Sequence, residues 1–118
     1  MGSHLDKPVT EKESDDGTLH GGLSYSGSAM QGWRVSMEDS HFGGTIQIGG
    51  DTASLAAVFD GHGGDLVAIE AAKRIKPTLE KALGALGGLG DPSAIGVKMQ
   101  EAFMTLDANL RQMGQVQR

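Results

Sequence analysis

The chain has 118 residues, room for at most one compact domain, and its fifteen Asp and Glu outnumber ten Lys and Arg to give a net charge of −5. That acidity repels phosphate backbones and disfavours nucleic-acid binding, so no nucleic-acid partner is expected; the absence of cysteine excludes disulfides and thiolate metal sites. No apolar run is long enough for a membrane span or a signal segment, so the expectation is a soluble, cytoplasmic protein whose aliphatics, Ala and Met build a thin core.

Met1 to His4 reads as a remnant of an expression tag. Residues 5–22 carry Asp6, Glu11, Glu13, Asp15 and Asp16 against Lys7 and Lys12, with Leu5, Val9 and Leu19 as the aliphatics. So polar a stretch buries too little surface to offset its ordering entropy, and residues 1–22 are expected to form a disordered acidic tail. Leu23 to Met30 predicts an early strand, and Gly32 to Met37 alternates apolar and polar residues as a strand does. Thr45 to Ile48 alternates likewise, between turns expected at Gly43–Gly44 and at Gly49–Gly50–Asp51. Leu55 to Phe59 is a continuous apolar run ended by Asp60, the pattern of a strand covered on both faces.

Two helices are predicted next. The first begins after Gly64 with Asp65 in its first turn, and buries Leu66, Ile69, Ala72, Ile75, Leu79, Leu83 and Leu86. Pro77 should kink or restart it. A Gly-rich connector over 84–90 leads to Asp91–Pro92, an N-cap followed by a proline at the first helical position. The second apolar stripe is Ile95, Met99, Ala102, Phe103, Leu106, Leu110 and Met113.

Chemistry concentrates in two segments. In Phe59-Asp60-Gly61-His62-Gly63-Gly64, a strand delivers a carboxylate beside an unshielded glycine carbonyl. Those hard oxygen donors suit Mg²⁺ or Mn²⁺, and His62 is a group able to move a proton. In Gly32-Trp33-Arg34-Val35-Ser36-Met37-Glu38-Asp39, the Arg34 fork can hold two phosphate oxygens. Glu38 and Asp39 are neighbours that face opposite ways on a strand, so both reach one site only where the strand ends or bulges. Each piece alone has a plainer reading: Asp-Gly after a strand is commonly a turn, and Glu-Asp a solvated pair. Together they form a kit for metal-assisted phosphate hydrolysis.

Competing motifs fail. An EF-hand loop from Asp60 would need Glu where Ala71 stands, and a phosphate loop from Gly27 to Gly32 would need Lys where Trp33 stands. The Gly-rich 84–90 stretch follows no strand, which removes a dinucleotide fingerprint. His20 and His41 have no Cys or His at ligand spacing.

Gln31 to Asp39, followed some twenty residues later by Val58 to Gly64, resembles the first two signature motifs of the metal-dependent type-2C protein phosphatases, the PPM family. The resemblance runs from about Leu23 into the second helix. It implies a serine/threonine phosphoprotein phosphatase with an α+β fold, a central β-sandwich flanked by helices, and two Mn²⁺ or Mg²⁺ ions that activate a bridging water. It further implies that Asp60 bridges the two ions and that the Gly61 carbonyl ligates one. Glu38 and Asp39 would hold or orient their waters, Arg34 would bind the substrate phosphate, and His62 would protonate the leaving oxygen.

The family's catalytic domain is more than twice this long, and its other metal aspartates lie in later motifs. Here the acids after His62 all fall in or beside predicted helices. The expectation for residues 23–118 is therefore the N-terminal part of such a domain, about four strands then two helices, inactive by itself. Its partners would be a phosphoprotein substrate and either a second copy or the C-terminal half of the domain. The alternative is a non-catalytic pseudophosphatase or interaction module of the same fold.

Overall fold

A computed structural model of the chain describes residues 4–62 and 64–117. Four strands precede two helices: β1 (His4–Thr18), β2 (Ser24–Arg34), β3 (Asp39–Ile48), β4 (Asp51–Asp60), α1 (Leu66–Gly84) and α2 (Pro92–Gln117). The strands pair as two antiparallel hairpins, β1 with β2 and β3 with β4. This is the α+β class and element count expected, with different members.

The largest departure is at the N-terminus. Met1 to Ser3 lie outside the described residues, but 4–18 form β1 and His20–Gly22 a short 3-10 turn, where a disordered tail was expected. The strand is held by its ladder to β2, in continuous register from Lys12 opposite Met30 to Thr18 opposite Ser24. Backbone pairing needs no apolar side chain, so composition missed it. Beyond Lys12 the register shifts twice, near Gly32, whose φ of 66° lies in the left-handed region. The two short strands expected over 23–30 and 32–37 are thus one strand to Arg34.

Gly43 and Gly44 lie inside β3, not in a turn. A Cβ on Gly43 would sit 2.6 Å from the Tyr25 ring and one on Gly44 would sit 3.0 Å from Phe42, so these glycines admit aromatic rings. The true turn is Gly49–Gly50. It nests against the 84–90 connector: Gly50 N donates to Gly87 O (3.2 Å) and Leu89 N to Asp51 Oδ2 (2.8 Å). A Cβ on Gly49 would fall 2.3 Å from the Gly87 backbone, which requires glycine at 49, while Gly87 takes a left-handed φ of 75°.

The helices cover one face of β3–β4. Ile46 and Ile48 from β3, Ala71, Ile75, Leu79 and Leu83 from α1, and Ala102 and Leu106 from α2 are the buried cluster. Phe42, Ala53, Leu55 and Phe59 pack against it. Leu66, at the first turn of α1, stays exposed. Pro77 does not interrupt α1; it and Lys73, whose carbonyl loses its donor, are both on exposed positions. Asp91 caps α2 as expected, its Oδ1 accepting from Ser93 N at 3.0 Å. Met99 and Phe103 of the second stripe are exposed.

β4 is covered on one face, not two. Its odd-numbered residues from Ala53 to Phe59 turn to the helices, while Ala56 and Val58 face away and Val58 is 77% exposed. The β1–β2 hairpin stacks over the β3 half of that open face. Between them lies a cleft of about 520 Å³ lined by Tyr25 to Met30, Met37, and residues of β3 and β4.

Candidate functional site

The site expected from sequence gathers where β3 begins and β4 ends. The ladder pairs Asp39 with Asp60. Residues directly opposite in an antiparallel pair project from the same face with Cβ atoms about 4.5–5.5 Å apart, and like charges so placed repel. Both carboxylates are exposed and on the face turned from the helices. Beyond this pair, Gly61 N donates to Glu38 O at 2.9 Å, extending the ladder by one bond and closing the strand ends together. A Cβ on Gly61 would lie 2.3 Å from Glu38 O and 3.2 Å from the Ala68 side chain. Glycine is required here by close backbone approach.

Glu38 stands just outside β3, half-buried, with Ser36 Oγ donating to its Oε2 at 3.1 Å. β3 begins at Asp39, so Glu38 stands one residue outside the strand. His62 is exposed in the bend after Gly61, and Gly63 lies outside the described residues. Asp65 occupies the N-cap of α1 without a side-chain capping bond. Arg34 ends β2, exposed; Gln31 Nε2 folds the link beyond it by donating to the carbonyls of Arg34 (2.8 Å) and Val35 (3.0 Å). Among the described residues no ion pair joins Arg34 to Glu38, Asp39 or Asp60.

Asp39 and Asp60 are thus brought together, and Gly61 and Glu38 are tied to them through backbone. His62 follows exposed after Gly61, and Arg34 is exposed at the end of β2, with no salt bridge joining it to Asp39 or Asp60 among the described residues. Two carboxylates side by side without a countercharge suit a hard divalent cation. Among the described residues no three Asp, Glu or His side chains converge as a complete metal-binding group. The donors present fit part of a coordination sphere.

One cluster escaped the sequence reading. His41 Nε2 lies 2.6 Å from Asp15 Oδ1, and the Tyr25 hydroxyl donates to Asp15 Oδ2 at 3.2 Å. The His41 bond foremost, against a smaller opposing effect of desolvation, holds the Asp15 carboxyl below its ordinary value. Burial first, then Asp15, raises the Tyr25 phenol. The partners are 26 residues apart, a separation no ligand-spacing rule searches. Beside the cluster, a cleft of about 470 Å³ is lined by Glu11, Glu13, Gln31, Asp39 and Asp65 among others.

The chain matches the Protein phosphatase 2C family over residues 23–116. It is 37% identical over 118 residues to "Protein phosphatase 1A" of Bos taurus, covering 98% of this chain and 31% of that protein. It is 40% identical over 109 residues to "Probable protein phosphatase 2C 60" of Arabidopsis thaliana, covering 91% and 28%. "Protein phosphatase 1B" of Bos taurus is 38% identical over 119 residues, covering 94% and 24%. The first of these matches takes in the acidic 5–22 stretch, most of which forms β1 here. The chain spans less than a third of the length of these relatives, and it belongs to the protein phosphatase 2C family.

Proposed function

We propose that this chain supplies the metal-holding and phosphate-binding corner of a metal-dependent serine/threonine phosphatase, and that it is inactive without the rest of the domain. The observation that carries the reading is Asp39 paired with Asp60 at a strand end fastened by the Gly61–Glu38 bond. Family membership supports it. Asp39 and Asp60 would hold Mn²⁺ or Mg²⁺, with the Gly61 carbonyl and Glu38 contributing beside them. Such ions, when bound, lower the pKa of water and neutralise phosphoryl charge.

The remaining roles belong to side chains of this chain. Arg34 grips two oxygens of a phosphoserine or phosphothreonine phosphate through its planar fork. His62, exposed at the mouth of the site, gives a proton to the departing seryl or threonyl oxygen. The incomplete donor set among the described residues supports the reading that the isolated chain is inactive. The test is hydrolysis of a phosphopeptide by the full-length parent with Mn²⁺, alongside the 118-residue chain. Turnover by the parent that is lost in Asp60→Asn, and none by the short chain, agrees with the proposal. A parent that binds phosphopeptide yet never turns it over would instead favour a non-catalytic module.

A further inference from the structure

We propose that Asp15, Tyr25 and His41 form a polar pin that fixes the register of the β1–β2 hairpin over β3 and so sets where Arg34, at the end of β2, lies relative to Asp39. The inference rests on the phosphatase reading for the roles of those last two residues. Three strands from two hairpins meet at one carboxylate: Asp15 of β1 uses one oxygen for His41 of β3 and the other for Tyr25 of β2. The only other side-chain hydrogen bond between the first 34 residues and the second hairpin, among the described residues, is Ser54 Oγ to His20 O. At 3.4 Å it is weak.

The surroundings are shaped to this contact. A Cβ on Gly27 would lie 3.1 Å from Asp15 Oδ1 and 3.3 Å from His41 Nε2. One on Gly17 would lie 2.7 Å, and one on Gly43 2.6 Å, from the Tyr25 ring. A glycine on each of three strands therefore clears the space through which the pin passes. No residue of β1 or β2 is fully buried, so no apolar core does this work for the hairpin.

The pin reaches the site by geometry. His41 lies two residues from Asp39 on the same face of β3. From Gly27, seated at His41, β2 continues through Ala29 and Gln31, which share a cleft with Asp39, to Arg34. A slip of one residue would carry Arg34 about 3.3 Å along the strand. Misplacement of about 1 Å can already cost on the order of a hundredfold in rate, so register is a quantity worth fixing.

The pin can be read in the 118-residue chain without any activity assay. The Tyr25 ring should shift the α-protons of Gly43 upfield in NMR spectra, and Asp15→Ala or His41→Ala should abolish that shift. Asp15→Asn keeps an acceptor oxygen and should retain most of it. The chain has no cysteine, so Trp33→Cys accepts a single nitroxide next to Arg34. Its broadening of the Asp39 to His41 amides should fall at least twofold when Asp15→Ala is added, and recover with Asp15→Asn. Unchanged Gly43 shifts and unchanged broadening in the alanine variants overturn the proposal. If Asp15→Ala unfolds the chain, Asp15→Asn against His41→Gln decides by the same two signals. Neither signal involves metal or phosphate, so failure of the phosphatase reading appears only in the turnover assay.

Discussion

The two hairpins are built from different materials. β3–β4 lies on two helices, with Ile46 and Ile48 buried and Phe42, Leu55 and Phe59 packed on the cluster. β1–β2 has no buried residue and is held by its own ladder and by one carboxylate shared with His41. The residues assigned to the metal, Asp39 and Asp60, sit on the well-packed hairpin; the residue assigned to the phosphate, Arg34, ends the lightly held one. A site assembled this way has a rigid floor and an adjustable wall, and the wall depends on polar contacts that cores do not require.

Damage to the packed half should have the largest effect. Leu79 is 1% exposed, and Leu79→Ala should cost about 2–5 kcal/mol in denaturant unfolding, enough to threaten so thin a core. Gly61→Ala should come next. Its Cβ collides with Glu38 O, so the strand ends must part, and exchange of the amide at position 61 and of the Phe59 and Ser40 amides, which point into the ladder, should accelerate while the helices stay protected. Asp91→Ala removes the cap of α2 and should cost about 1 kcal/mol with the site unmoved. The smallest effect should be confined to the outer hairpin. The folded Asp15 carboxyl titrates below its ordinary value of 3.8, so its contribution is present above that pH and is lost as pH falls through the lower folded value. Asp15→Asn should remove that part of the acid dependence, read as a flatter unfolding midpoint between pH 5 and 2. Amide exchange sets the comparison directly: β1–β2 should exchange far faster than β3–β4.

What the sequence made legible follows the same division. The packed half was readable because burial leaves periodicity: a strand ending at Asp60, a helix that buries Ala72, Ile75, Leu79 and Leu83, and the Asp91–Pro92 helix start were all expected and found. The outer half was not, because a strand held by backbone pairing needs no apolar alternation and β1 presents acids instead. Glycine misled at Gly43–Gly44, where it admits aromatic rings into a strand instead of turning the chain. Pro77 misled because its local cost of about 3 kcal/mol is offset by the burial of Ile75, Leu79 and Leu83 around it. The apolar run of β4 implied cover on both faces, yet Val58 is open in this chain, which spans 31% of its cattle relative. The acids of the site were all legible as residues; their pairing across two strands required the register.

The central claim is that Asp39 and Asp60 face each other in order to hold a divalent cation. Titrating the 118-residue chain with Mn²⁺ and following paramagnetic broadening of its amide signals tests this most directly. The account predicts saturable broadening centred on residues 38–40 and 59–61, competed by Mg²⁺ and removed by Asp60→Asn. Broadening spread evenly over the acidic surface, or centred on Glu11 and Glu13 and unaltered by Asp60→Asn, would contradict it.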